Sequence, residues 1–175
     1  MTANPPGIIV VRDYAPGDAA LVIPRWHETN LHAYPYVEEQ QRHTLDDAHR
    51  FFLSTLVPRC ALVVAERDGA VAGILAQEGC WIRQLAVFAE HRRQGVGRTL
   101  LAAARTRSRA ELRLFTFRRT AAARAFYAAE GFVEVGFGTS PPPEDEPDVE
   151  YRWAPAAWSR SNYSVTRFTG DRDGP

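Results

Sequence analysis

The stretch WIRQLAVFAEHRRQGVGRTLL, Trp81–Leu101, decides how the rest of the chain is read. An apolar, strand-like run ends near Phe88, a charged turn follows, and Arg92-Arg93-Gln94-Gly95-Val96-Gly97 leads into a segment rich in helix formers. Two glycines one residue apart at a helix entrance let the backbone approach a ligand with no Cβ in the way. First-turn amides have no intrahelical acceptor, so they can point at an anion, and the helix dipole adds to the attraction. Arg92, Arg93 and Arg98 supply mobile positive charge for the same purpose. The local physics dictates a strand, an anion-binding turn and a helix.

Spacing excludes two common anion binders. A nucleotide-binding P-loop needs Lys and then Ser/Thr directly after its last glycine, but Gly97 is followed by Arg98 and Thr99. A dinucleotide fingerprint needs a third glycine, and Leu100 holds that place.

Outward from this stretch, the chain has 175 residues and 45% hydrophobic residues, which fits one globular domain with a substantial core. Lys+Arg 21 against Asp+Glu 21 leaves no net charge, which argues against a general nucleic-acid-binding surface. The balance is uneven: arginines cluster from Arg92 to Arg124 and acids from Glu144 to Glu150. No apolar run reaches the roughly 18 residues of a membrane span, and MTANPPG has neither the basic start nor the apolar core of a secretory signal. A cytoplasmic protein without membrane partners is expected. Cys60 and Cys80 open strands separated by a third, too far apart for a disulfide, and no Cys/His cluster has metal-ligand spacing.

In chain order, Gly7–Arg12 reads as a strand and Asp13–Asp18 as a turn. A helix is expected over Ala20–Leu31, interrupted or bent at Pro24, and His32–Val37 reads as an aromatic-rich loop. A second helix over Asp46–Leu56 should bury Phe52 and Leu56 and stop before Pro58. Cys60–Glu66, the turn Asp68-Gly69, Ala70–Gln77 and Trp81–Phe88 form a three-strand meander. Then follow a helix Val96–Arg109, a strand Glu111–Phe117, a helix Ala121–Glu130 and strands Val133–Gly138 and Val149–Trp153. The loop Thr139–Pro147 separates those last strands, and Ala154–Pro175 shows no sustained periodicity.

The turn resembles the acetyl-coenzyme A signature of the GCN5-related N-acetyltransferase (GNAT) superfamily, Gln/Arg-x-x-Gly-x-Gly/Ala. Arg92, Gly95 and Gly97 match it, and Leu85-Ala86-Val87 lies where that family places the preceding strand. A second signature has Asn at a helix start, Ala three residues on, then Phe-Tyr and Gly-Phe. Here Thr120 stands for the Asn, followed by Ala123, Phe126-Tyr127 and Gly131-Phe132. The closing Glu146–Trp153 looks like the last strand of many small bacterial members. The resemblance covers roughly residues 7–154. It implies an α/β fold with a mixed, mostly antiparallel twisted sheet flanked by helices: one domain over residues 1–154, then a tail, 155–175.

What the resemblance implies for chemistry is specific. Leu85, Ala86 and Val87 would meet the pantetheine arm in a gap between two splayed strands. The turn Arg92, Arg93, Gln94, Gly95, Val96, Gly97 and Arg98 would hold the pyrophosphate, with Thr120, Ala123 and Phe126 nearby. Thr120 has shorter reach than the family's Asn, though its hydroxyl can cap the following helix. Tyr127 would serve the leaving coenzyme A thiolate by giving or sharing a proton. The third meander strand carries Arg83 and Gln84 where relatives often have a carboxylate, so Glu78, Glu28, His27, His32 or a water relay remain as bases. Trp26, His32, Tyr34, Tyr36 and the acidic loop Glu144–Asp148 would wall the acceptor site, favouring a cationic or aromatic amine. The implied activity is acetyl transfer from acetyl-coenzyme A to an amine of a small molecule or peptide. A non-catalytic acyl-coenzyme A sensor and a purely structural domain are the alternatives. Dimers are common in this fold, and the terminal strand pair offers edges for one.

Overall fold

The computed structural model describes residues 7–37, 43–108, 110–142 and 144–155. Its strands are β1 (Ile9–Asp13), β2 (Ala61–Arg67), β3 (Ala70–Glu78), β4 (Trp81–Val87), β5 (Leu112–Phe117), β6 (Val133–Thr139) and β7 (Pro147–Trp153). They form one sheet in the order β1-β2-β3-β4-β5-β7-β6. Every neighbouring pair is antiparallel except β4 and β5. The helices are α1 (Ala19–Ala33), α2 (Leu45–Phe51), α3 (Val96–Ser108) and α4 (Ala121–Ala129).

Period-two alternation sends successive strand residues into two cores, one on each face of the sheet. Val63, Leu75, Leu112 and Leu114 pack with Leu100 and Leu101 of α3 and with Tyr127 of α4. Val64, Ile74 and Ala86 pack on the other face with Ile23 and Trp26 of α1 and with Phe52. The meander turns where the sequence says it must: Asp68 and Gly69 have φ of 52° and 81°, the two left-handed residues of a type I′ hairpin.

Three elements differ from the sequence reading, besides the expected loop His32–Val37, of which residues 32–33 and 35–37 are helical. The first is α1, which is not interrupted at Pro24 but runs through it. The proline forfeits one helical hydrogen bond, and burial of Val22, Ile23 and Trp26 around it holds the helix in place. The second is α2, whose end is not at Pro58. Phe52–Leu56 forms a wide i→i+5 segment, and Val57–Arg59 carries the helix one turn further, through Pro58. The third is β7, which starts at Pro147: Pro147 pairs with Thr139 of β6, and Asp148 pairs with Gly138 of β6 on one side and Phe117 of β5 on the other. Asp148 is therefore a strand residue and not part of a loop. The last strand is also internal to the sheet; β6 is the edge on that side. The expected tail lies, from residue 156 on, outside the described residues.

Close approach fixes one glycine in the sheet. A Cβ at Gly73 of β3 would stand 2.5 Å from the Ala86 carbonyl oxygen, a backbone atom that cannot move aside. Gly73→Ala is expected to destabilise the protein by about 1–3 kcal/mol. Denaturant unfolding measures it, and an unchanged midpoint would contradict this packing of β3 on β4.

Candidate active site

The site begins as a fault in the sheet. Gln77 pairs with Ile82 and Ala76 with Gln84, which leaves Arg83 as the extra residue of a β-bulge in β4. On its other side β4 meets β5 through a single register pair, Trp81 with Arg113. The Arg113 amide donates to Cys80 O at 2.8 Å. Beyond that point the two strands diverge. The Phe88 amide donates to Ala72 O on the β3 side. By strand alternation the amides and carbonyls of Val87 and Leu85 face the opening toward β5. Ala86, 3% exposed, turns its side chain into the core under α1 and α2 instead.

The open end of this gap leads to the turn before α3. Arg93 and Gly95 both have left-handed backbones, φ 60° and 89°, around Gln94. Two left-handed residues in three turn the chain sharply into the N-terminus of α3, whose first amides attract anions. The helical ladder starts with Thr99 N–H on Gly95 O at 3.0 Å, so the amides ahead of it are the ones a helix leaves without intrahelical partners. The arginine side chains have settled roles: Arg92 Nε donates to Val87 O at 3.3 Å, and Arg98 Nε to Glu130 at 2.8 Å. Gly97 serves packing. A Cβ there would lie 3.0 Å from the tip of the Phe126 ring, so its absence lets α3 and α4 stand side by side.

At the start of α4, Thr120 makes no side-chain cap, contrary to the sequence reading; its hydroxyl lies 3.2 Å from the Tyr36 hydroxyl. Tyr36 and Tyr34 both stand edge-on to Phe117 at the end of β5. Ala123 packs against the core under α3. Tyr127, one residue beyond Phe126, is wedged among Phe126, Phe132 and Tyr151 at ring distances of 5.3, 5.6 and 5.9 Å. Burial, and then the neighbouring Tyr34, push its hydroxyl well above the ordinary tyrosine range. It therefore keeps its proton across neutral pH.

Tyr127 also lines a cleft of about 930 Å³ on the α1–α2 side, which reaches Trp26, His27 and Tyr34 of α1, β4 from Trp81 to Leu85, and β5 from Arg113 to Phe117. Gln84 ties its walls together by accepting from Trp26 Nε1 at 3.3 Å. Of the acceptor wall read from sequence, Trp26, Tyr34, Glu144 and Asp148 line the cleft, whereas His32 and Tyr36 do not. Of the bases, only His27 lines it. Glu78 is engaged by Arg59 and Arg83, and those arginines hold its carboxyl below the usual range against a desolvation that works the other way. The structure adds Glu150, which sequence reasoning passed over. It is 7% exposed on β7, pairs with Arg113 Nε at 2.7 Å and faces the same cleft as Asp148. The signal was available: two acids spaced by two in a strand share a face.

The site thus joins a sheet splayed beyond one register pair, a bulged strand, a turn at the open end and a buried tyrosine that lines the cleft. Residues 58–134 match the family model described as acetyltransferase (GNAT) domain. The chain has the GNAT fold, and the resemblance to that superfamily read from the sequence is borne out. No curated protein matches the sequence. A GCN5-related N-acetyltransferase from Rhodopseudomonas palustris superposes with a TM-score of 0.72 at 22% identity, covering 88% of this chain and 98% of that one. YjaB from Escherichia coli, in its apo form, gives 0.70 at 20% identity over 83% and 97%. PaiA N-acetyltransferase from Thermoplasma acidophilum, solved with coenzyme A, gives 0.60 at 16% identity over 83% and 99%. Among the described residues no helix is long and apolar enough to cross a membrane.

The placement of α4, and of Tyr127 with it, depends on a charged knot at the sheet edge. Tyr151 O–H donates to Glu134 at 2.6 Å and Arg124 of α4 donates to the same carboxylate at 2.8 Å. The Tyr151 hydroxyl first, then Arg124, hold the Glu134 carboxyl below its ordinary range. A depressed folded pKa means this stability is complete above the unfolded value and disappears as pH falls through the folded one. Glu134→Gln should therefore melt below the wild type at pH 7, with the difference closing as the pH drops below about 4. Thermal unfolding followed against pH checks the sign.

Proposed function

We propose that this protein is an acetyl-coenzyme A-dependent N-acetyltransferase acting on a primary amine of a small molecule or peptide. The observation that carries the reading is the continuity of three parts. The β4–β5 gap presents strand amides, it opens onto the amides of residues 93–98, and Tyr127 stands where the gap meets the cleft. An extended, anion-ended acyl carrier fits that path, with the pantetheine arm along Leu85 and Val87 and the pyrophosphate on the turn. The coenzyme A complex of the Thermoplasma relative supports the same cosubstrate here.

Acetyl-coenzyme A supplies a thioester activated for attack. The amine nitrogen forms a bond to the acetyl carbon as the carbon–sulfur bond breaks, and the sulfur leaves with that electron pair. Tyr127, kept neutral by burial, gives or shares its proton with the departing thiolate. An amine bound as ammonium first gives one proton to a carboxylate or water in the cleft; the proton the nitrogen loses after attack replaces the one lent by Tyr127, so the products are the amide and the free thiol with the tyrosine restored. A non-catalytic acyl-coenzyme A sensor is the second reading. It is favoured by Arg83 and Gln84 at the bulge, where a carboxylate is wanting, and by the engagement of Thr120 with Tyr36.

Two measurements test this reading. Calorimetry should show acetyl-coenzyme A binding, weakened by Gly95→Val because a β-branched residue is strained at φ 89°. No binding at millimolar ligand sinks both readings. Tyr127→Phe keeps the ring packing and removes the hydroxyl. It should leave that affinity nearly unchanged while thiol release with an amine panel falls by about 10²–10⁴-fold. Turnover unaffected by Tyr127→Phe removes the residue from the mechanism, and tight binding with no thiol release from any amine selects the sensor.

A further inference from the structure

The acceptor cleft is built for one kind of amine. Its aromatic walls are two stacked pairs: Trp26 with Phe51, centroids 6.2 Å apart and planes 11° apart, and Trp81 with Phe115, 5.2 Å and 10°. All four rings line the cleft. Phe51 and Phe115 remain 39% and 37% exposed there, although large apolar rings ordinarily find cover.

The charges of the cleft are unequal. Asp47, Glu144, Asp148 and Glu150 line it against Arg83 and Arg113. Both guanidiniums are already engaged, Arg83 by Glu78 and Arg113 by Glu150. Thr44 caps α2, and the Asp47 carboxylate accepts from the Thr44 amide and from Arg50. His27, His43, Tyr34 and Tyr127 complete the titratable lining. Asp148 is set deepest, 2% exposed, and pairs in register with Phe117 on β5. Cross-strand partners project on one face, so its carboxylate shares the face of Phe115 and Phe117. It lies one strand spacing, about 4.8 Å, beyond β5 from the gap. An ionised carboxylate accepts about four hydrogen bonds, so it can take a further donor whatever else it meets.

Thr116 of β5 also lines the cleft, with its hydroxyl buried beside Tyr34.

We propose that the acceptor is a primary ammonium carried on a short methylene arm from an aromatic ring. The ring lies among the four aromatic walls, and Asp148 is the carboxylate that takes the ammonium and sets specificity. This rests on the acetyl-transfer reading and narrows its substrate. An acidic amine meets an excess of carboxylates, and a long polyamine leaves the aromatic walls unused.

The test is direct binding, which needs no turnover. Phenethylamine, butylamine, spermidine and glutamate are titrated into the protein by calorimetry, with and without coenzyme A. Phenethylamine should bind best and glutamate not at all. Asp148→Asn keeps the side-chain shape and should weaken phenethylamine roughly 10–100-fold while coenzyme A affinity is unchanged. Phe115→Leu, on the exposed face of β5, should weaken phenethylamine about 2–10-fold with butylamine unaffected, and it carries the test by itself if the Asp148 variant does not fold. No phenethylamine binding at millimolar concentration, equal binding to Asp148→Asn, or spermidine or butylamine binding as tightly as phenethylamine each overturns the proposal. Failure of coenzyme A alone to bind counts against acetyl transfer, and the amine titrations then still decide the chemistry of the cleft.

Discussion

Everything at the site follows from one missing set of hydrogen bonds, those between β4 and β5 beyond Trp81 and Arg113. A parallel pair normally continues its ladder, and leaving it open exposes strand amides and carbonyls at a cost that something must offset. The bulge at Arg83 bends β4 away, and the flanking pairs are secure enough to hold both strands. The backbone groups of Leu85 and Val87 are thus left facing an open gap rather than a neighbouring strand. The sheet stays continuous at the closed end, where Trp81 stacks on Phe115 and carries the Arg113 guanidinium 4.8 Å over its ring.

The two helices beyond the gap are fixed to each other as well as to the sheet. Phe126 seats on Gly97, and Arg98 and Arg105 of α3 both reach Glu130 at the end of α4. Arg124 returns α4 to β6 and β7. These contacts set the distance between the turn before α3 and the Tyr127 hydroxyl. Surface ion pairs of this kind contribute little stability singly; their value here is register.

On the other face the cleft depends on α1 and α2, which bring Trp26 and Phe51 over the sheet. The helix through Pro24 matters for this reason: an early stop would leave Trp26, His27 and Tyr34 without a frame. Hydrophobic burial of Val22 and Ile23 overrides the local preference of the proline, a tertiary effect that a window of sequence cannot register.

The sequence alone determined the meander, the strand–turn–helix around Gly95 and the order of the later elements. Each is written in short-range chemistry: alternation in the strands, Asp68-Gly69 in the hairpin, glycines ahead of a run of helix formers. It also singled out Tyr127 and the turn residues, because their spacing resembles a known pair of signatures. Only the tertiary structure decided what those residues do. Arg98 and Gly97 serve helix packing, Thr120 is bound to Tyr36, Glu78 is held by two arginines, and Asp148 and Glu150 lie on a buried strand facing the cleft. The reason is physical: hydrogen bonding and side-chain periodicity are local, whereas the burial and pairing of a charge depend on partners brought from across the chain, such as Arg113 to Glu150 over 37 residues.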